Sequence, residues 1–386
     1  MTQVVGVLGG GQLGMYFVRA AHALGARTVV LEPDIDSPAG IIADEHIVAP
    51  YDDEAALTRL ATACDAVTVE FENPPVDSLR FLAQRTTVHP GADAVATAQD
   101  RRAEKDFCVR NGWDTAPFRI VDSPESLQHL VDDPRLDAWW CGGTILKTAR
   151  LGYDGKGQRG VANAGQLADA WQELGRVPCV LEQRLPLDSE ISVIVVRTVD
   201  GSLLSYPATR NEHTDGILTV SVAPVPGPHA ERATRIASDI AQALNYVGVL
   251  AVEFFVVGGE VLVNELAPRP HNSGHWTLDG AVTSQFEQQA RILLGMPLGP
   301  TTMTSSAVAM ANLLGDMWSP GEPRWDRVTG DPAARLHLYG KRSARPGRKM
   351  GHLTVCGSDP AFVERRVREL RAAAAADFSA GSGADR

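Results

Sequence analysis

The chain has no Cys-x-x-Cys pair, no long apolar run and no excess of positive charge, and each absence removes a class of function. Its five cysteines, Cys64, Cys108, Cys141, Cys179 and Cys356, are odd in number and widely scattered. Neither a zinc ribbon nor a disulfide framework fits that pattern, whereas buried free thiols in a reducing compartment do. No apolar run reaches the length needed to cross a bilayer, and no basic-then-apolar leader precedes the first strand-like run. A cytoplasmic protein with no membrane partner is therefore expected. The formal net charge is −11, from 36 Lys and Arg against 47 Asp and Glu. Nucleic acid and anionic membrane surfaces favour a basic face, so neither is expected as a partner, while a local basic pocket for a phosphorylated small molecule stays open. The Walker pattern GxxxxGK[ST] and any internal repeat are also missing.

What is present is an ordinary globular composition, 44% apolar and 22% charged, over 386 residues. That length suits two or three domains rather than one core. Val4 to Leu8 is an apolar run entering Gly9-Gly10-Gly11. A helical pattern follows from Gln12 to Leu24, then a second apolar run from Thr28 to Leu31 that ends at Glu32. This is the opening of a parallel α/β domain, closing near residue 100. Ala66 to Val69 delivers Glu70, Glu72 and Asn73 to a strand's carboxyl end, the edge where open parallel sheets bind ligands. The remaining segments are 101–179, mixed helix and strand around a Gly-rich loop, and 180–298, strand-rich around a helix from Pro228 to Leu244. A smaller β-rich unit at 299–376 ends in a helix from Ala361 to Ala376, and 377–386 reads as a flexible tail.

Two glycine-rich turns carry chemistry. Gly9-x-Gly11-x-x-Gly14 fits the dinucleotide fingerprint, with Glu32 where a ribose-binding acid would lie. Such a turn brings a phosphate to the positive end of a helix, or serves only as a tight turn with close helix–strand packing. No separate acid–base pair for hydride transfer stands out, so a phosphorylated substrate is expected here in preference to NAD. The second turn, Gly152-Tyr-Asp-Gly-Lys-Gly-Gln158, follows the apolar run that ends at Lys147. It reads either as a mobile loop folding its amides over phosphates, helped by Lys147 and Lys156, or as a plain hairpin tip.

Val249–Val257 and Val261–Leu266 are apolar runs split by Gly258-Gly259-Glu260, a hairpin carrying Glu253 and Glu265. A two-residue turn would pair Glu253 with Asn264. A three-residue loop with a bulge would set the two glutamates side by side, and that arrangement is predicted. Paired carboxylates between apolar neighbours repel unless a cation lies between them, and hard oxygen ligands near phosphates suit magnesium. Beyond the hairpin, Ala267–Trp276 crowds Arg269, His271, Asn272, Ser273 and His275 into an irregular, Pro-containing stretch. His271 and His275 stand four apart, but no HExxH glutamate accompanies them and Gly274 disfavours a helix, so zinc is not expected.

Together these stretches resemble the ATP-grasp superfamily and, within it, the N5-carboxyaminoimidazole ribonucleotide synthetases of purine biosynthesis. The matching runs are GGGQLG (Gly9–Gly14), EFEN (Glu70–Asn73), GYDGKGQ (Gly152–Gln158), DGIL (Asp215–Leu218), YVGVLAVEFFV (Tyr246–Val256), NELAPRPHNSGHWT (Asn264–Thr277), SQFEQ (Ser284–Gln288) and RPGRKMGH (Arg345–His352). The resemblance implies an α/β ATP-grasp fold with an N-terminal parallel-sheet pre-ATP-grasp domain and a small β-rich C-terminal domain. It implies ATP and Mg2+ as cofactors, 5-aminoimidazole ribonucleotide and bicarbonate as substrates, carboxyphosphate as intermediate, and a homodimer.

Residue by residue, it implies that Arg101 and Lys147 lie near the ATP phosphates under a covering loop of Gly152, Tyr153, Asp154, Gly155, Lys156, Gly157 and Gln158. Glu182, Gln183, Arg184 and Leu185 would form the adenine-binding strand, with its backbone and Glu182 reading the base edge. Glu190 would hold the ribose, His213 would lie close by, and Glu253 and Glu265 would bind the metal with help from Asn264. Arg269 and His271 would hold bicarbonate. Tyr153, Asp154, Lys156, Asn272, Ser273, Arg345, Lys349 and the turn at Gly11, Gln12 and Leu13 would surround the ribonucleotide, with Asp154, Arg269, His271 and Lys349 as catalytic residues. Asp154 would orient or deprotonate the amine, or cap the loop turn. Two positions depart from the family pattern. Met15 and Tyr16 follow the first turn where arginine is usual, and Leu151 replaces a glycine before Gly152. Formyl- or acyl-transferring relatives, a nicotinamide oxidoreductase and a silent nucleotide-binding regulator are the alternative readings.

Overall fold

The structure, a computed structural model, describes residues 2–152, 155–319 and 321–375. Tyr153, Asp154 and the tail expected at 377–386 lie outside the described residues.

The amino-terminal segment is a parallel sheet of five strands. Its centre is Val4–Leu8, flanked by Arg27–Leu31 on one side and Ala66–Val69 on the other. These short runs are rich in β-branched residues, and nearly all their side chains are buried because helices cover both faces. The helix Gln12–Ala23 begins directly behind the first glycine turn and buries Leu13, Met15, Tyr16 and Phe17.

A second, antiparallel sheet has the order Phe118–Val121, Cys179–Gln183, Thr144–Thr148, Gln158–Val161. The third is the largest, with nine strands. It runs from the edge strand Glu260–Ala267 through Gly248–Val257, Ser189–Arg197, Thr209–Thr214 and Ile217–Ala223, then on to Ala307–Leu314, Lys349–Gly357 and Ala334–Leu338. One sheet therefore passes without a break through the segments read as 180–298 and 299–376, joined where Ile217–Ala223 pairs with Ala307–Leu314.

Helix Pro228–Ala243 starts with proline at its first turn, where a missing N–H costs nothing. It turns Ala230, Ala233, Ala237, Ile240 and Ala241 onto this sheet, and the small side chains allow a close approach. Helix Gln285–Leu293 packs on the third sheet, and from it the Gln289 amide donates to the Thr68 hydroxyl (2.9 Å) and the Val69 carbonyl (3.1 Å) of the first. That contact fixes the carboxyl edge of the first sheet against the third.

Candidate active site

A cavity of about 640 Å³ opens between the second and third sheets. Lys147, Glu182, Gln183, Arg184 and Leu185 line it from the second sheet and its edge, and Gly155, Lys156 and Gln158 from the glycine loop. Glu190, His213, Glu253, Asn264, Glu265, Arg269 and His271 face them from the third, with Arg101 and Glu72 at the side. Gly152 sits at a small neighbouring depression, and Gly157 is held under the loop, its carbonyl accepting from the Thr148 amide at 2.8 Å.

The carboxylate pair forms, though not by the route predicted. Gly258 and Gly259 both have positive φ (55° and 88°) and make a two-residue turn, so Val257 pairs with Glu260. The ladder then slips by one residue at Asn264, which stands opposite no partner, and Glu253 comes to face Glu265. The bulge lies up the strand instead of at the loop. Burial and the neighbouring Glu265 push the Glu253 carboxyl up to about 7. Among the described residues, the buried Asn264 side-chain oxygen has no hydrogen-bond partner. Two facing carboxylates and an orphaned amide oxygen form a hard-oxygen set that fits a divalent cation.

Arg101 donates to Glu265 at 3.0 Å, and one helical turn on, Glu104 accepts from the Leu266 amide at 2.7 Å. Burial and Glu265 raise the Glu104 carboxyl to about 8. Lys105, on the same helix face, reaches Glu182 at 2.9 Å while Lys147 reaches its other oxygen at 2.7 Å. Burial opposes the charge on Glu182, but the two lysines win and hold its carboxyl down at about 2. Each Glu182 oxygen thus faces a lysine, and Glu182 lines the cavity together with Gln183, Arg184 and Leu185. Glu190 and His213 are joined at 3.0 Å across neighbouring strands.

Arg269 is fixed by Glu72, whose Oε2 accepts from Nε at 2.6 Å, and by the Pro270 carbonyl at 2.9 Å from Nη1. Glu72 is half-buried, which favours the neutral form, yet Arg269 holds its carboxyl below the usual range. His271 lies 3.3 Å from Glu253 through Nε2, and burial together with Arg269 keeps the imidazole neutral. His275 points elsewhere, stacked on His352 at 4.7 Å, so the two histidines do not converge. His337, His352 and Asp279 do bring ligand atoms within 4.8 Å of one another. However, the two imidazoles lie face to face at 4.4 Å and 13°, with lone pairs that run side by side rather than toward one ion. Trp276 is a core residue, its indole N–H on the Thr209 hydroxyl at 3.1 Å.

The first glycine turn also departs from expectation. Glu70 fills it, accepting from the amides of Gly11 (2.6 Å) and Gly14 (2.8 Å), while Gly10 donates to Glu32 (2.7 Å), which also takes the Tyr51 hydroxyl at 2.5 Å. A substrate phosphate at Gly11 would have to displace the half-buried Glu70 carboxylate, and Glu32 is not available to a nicotinamide ribose. Leu13 is a core side chain. Gln12 accepts from Lys341 at 2.8 Å, and Lys341 also donates to the Lys349 carbonyl at 2.9 Å, which places Gln12 beside the RPGRKMGH segment. Lys349 is half-buried there and Arg345 exposed. Asn272 and Ser273 are buried behind His271 and do not line the cavity.

Sequence reading put Glu72 at a ligand-binding sheet edge without giving it a role, and it left Glu104, Lys105 and Lys341 out of the site. Arg101, Glu104 and Lys105 stand at i, i+3 and i+4 on helix Arg101–Arg110, a charged stripe on one face that could have revealed them.

Comparison with known proteins identifies the family. Residues 106–286 match the ATP-grasp domain, 1–99 the ribonucleotide synthetase preATP-grasp domain, and 308–366 the phosphoribosylaminoimidazole carboxylase C-terminal domain. The chain is 43% identical to the N5-carboxyaminoimidazole ribonucleotide synthase of Brucella melitensis, over 91% of this chain and 95% of that one. The crystal structure of the Thermus thermophilus synthetase is similar at TM-score 0.87 and 40% identity, covering 97% of this chain and 99% of that one. The Aspergillus clavatus enzyme in complex with ADP and 5-aminoimidazole ribonucleotide is similar at TM-score 0.85 and 29% identity, covering 97% and 98%. The chain belongs to the N5-carboxyaminoimidazole ribonucleotide synthase family of ATP-grasp enzymes.

Proposed function

We propose that this cavity carboxylates 5-aminoimidazole ribonucleotide with bicarbonate at the expense of ATP, giving the N5-carboxylated product, ADP and phosphate. The observation that carries it is the convergence of Glu253, Glu265, Arg269 and His271 on one wall with Lys147 and Lys156 opposite them. Bicarbonate is a poor electrophile because its leaving group would be hydroxide. Phosphorylation makes carboxyphosphate, whose leaving group is phosphate, and the substrate amine then attacks the activated carbon.

In this reading Lys147 and Lys156 bind the ATP phosphates, and Gln183–Leu185 line the base. Glu190 and His213 take the ribose side. Arg269 holds bicarbonate from a plane that Glu72 fixes. Glu253 and Glu265, with Asn264, would hold Mg2+, which supplies charge compensation to the transferring phosphoryl group when bound. The glycine loop shields carboxyphosphate from water. Gln12, Lys341, Lys349 and Arg345 lie on the side where the ribonucleotide would enter. Family resemblance supports a homodimer and a cytoplasmic setting, and light scattering on the purified protein tests the former. No helix among the described residues is long and apolar enough to cross a membrane.

Phosphate release from ATP is expected to require both bicarbonate and the ribonucleotide, each omitted in turn. Equal release without the ribonucleotide would refute the substrate assignment.

A further inference from the structure

Behind His271 runs a line of buried polar side chains that does not open into the cavity. Ser221 donates to the Asn211 side-chain oxygen at 2.9 Å, and the Asn211 amide group donates to the Ser192 hydroxyl at 2.9 Å. Ser192 meets the Ser273 hydroxyl at 2.8 Å, and Ser273 meets His271 Nδ1 at 2.8 Å. Ser192, Asn211, Ser221 and Ser273 are all buried, on three adjacent strands and the short turn after His271.

The direction of this chain is decided at its cavity end. The Ser273 backbone N–H also points at His271 Nδ1, at 3.3 Å. A backbone amide can only donate, so Nδ1 must present its lone pair and the ring proton must sit on Nε2. The other members then agree. Ser273 gives its hydroxyl proton to Nδ1, Ser192 gives its proton to Ser273, and the Asn211 amide supplies Ser192. Ser221 closes the line on the Asn211 side-chain oxygen, which can only accept. Reversing Asn211 would turn every donor around and set a protonated Nδ1 against the Ser273 amide. Nε2–H faces Glu253 Oε1 at 3.3 Å.

We infer that Ser273, Ser192 and Asn211 are positioning residues that lock His271 in its Nε2–H tautomer, so that it serves the anion site as a hydrogen-bond donor and not as a general base. The functional part of this statement rests on the reading under Proposed function; the tautomer does not. It implies that a neutral N–H, supplied from a preorganised ring, meets the oxygen of bicarbonate or carboxyphosphate. It also explains why serine follows one residue after Asn272 in NELAPRPHNSGHW, since both its hydroxyl and its amide are used on the same nitrogen.

The test is nitrogen-15 NMR of the full chain labelled at histidine, with the His271 signals assigned by their loss in His271→Gln. A pyrrole-type Nε2 and a pyridine-type Nδ1 are expected for the wild type; protonated Nδ1, alone or with Nε2, overturns the inference. Asn211→Asp keeps the shape but cannot donate to Ser192. It is expected to shift His271 toward Nδ1–H and to lower kcat about tenfold with the KM for ATP unchanged. An unchanged tautomer in that variant overturns the role of Asn211. The wild-type spectrum decides the tautomer even if the variant fails to fold. Phosphate release indifferent to the ribonucleotide would remove the proposed substrate, whereas the wrong tautomer with that dependence intact would remove only this inference.

Discussion

Two glycine-rich turns of similar composition meet opposite fates in this molecule. The turn at Gly9–Gly14 is closed from within. Glu70 and Glu32 take its amides, and a Cβ at Gly11 would stand 2.6 Å from a Glu70 oxygen, so the glycine is there to admit a carboxylate of the chain itself. The turn at Gly152–Gln158 puts Gly155, Lys156 and Gln158 at the wall of the main cavity. Gly155 needs its positive φ of 75°, and a Cβ there would stand 2.7 Å from the Asp215 carbonyl. Glycine spacing therefore marks where backbone and an anion come close. It does not say whether the anion is a ligand or a side chain.

The comparison can be broken most sharply on the open side. Glu265→Ala, which removes one of the facing carboxylates, is expected to cut ATP turnover about 100-fold or more while leaving the melting temperature nearly unchanged. Turnover near the wild-type level would mean that the hairpin does not hold the cation. On the closed side, Glu70→Ala leaves two part-buried amides without their acceptor and should cost about 2–4 kcal/mol of stability. The same variant should leave the KM for ATP unchanged, because Glu70 is not in the cavity wall. A denaturant melt and a substrate titration read the two arms separately, and a large rise in KM with an unchanged melt would reverse the assignment.

Gly155→Ala adds a Cβ where backbone already crowds and is expected to raise the KM for ATP about tenfold. Unaltered kinetics would show that the loop need not hold this conformation. Protons sharpen the contrast further. Burial and Glu265 raise Glu253 to about 7, so below that pH the carboxyl holds a proton that Mg2+ must displace. Mg2+ affinity in the presence of ADP should be flat above pH 7 and fall roughly tenfold per unit below it. Calorimetric titrations at pH 6 and pH 8 check this, and equal affinities would exclude Glu253 as the proton-bearing ligand. The smallest effect is expected at Leu151, which is exposed and holds φ 63° in the left-handed region that favours glycine. Leu151→Gly relieves that strain but frees the unfolded chain, so stability should move by less than about 1 kcal/mol. A larger loss in a melt would mean that the Leu151 side chain packs when the loop is covered.

Much of this was legible in the residues. The strand Val4–Leu8, the helix behind it, the helix Pro228–Ala243 and the hairpin around Gly258 follow from periodicity and turn chemistry, which act over a few residues. The cation hairpin shows the limit of such reading. The facing of Glu253 and Glu265 was expected, yet the slip that produces it sits at Asn264 and not in the loop. Whether an extra residue is absorbed at a turn or along a strand depends on what packs on each face, and no local signal carries that.

By itself, then, the sequence determined the order of the elements, the places where backbone can approach an anion, the charged stripe on helix Arg101–Arg110 and the family motifs. The tertiary structure alone decided who uses them. It sent Glu70 across 59 residues to Gly11, gave Glu182 to Lys105 and Lys147, set Glu72 on Arg269 across 197 residues, and lined Ser192 and Asn211 behind His271. The reason is physical. Propensity and periodicity are properties of neighbours along the chain, whereas a buried polar group must find its partner among whatever the packed fold brings within about 3 Å.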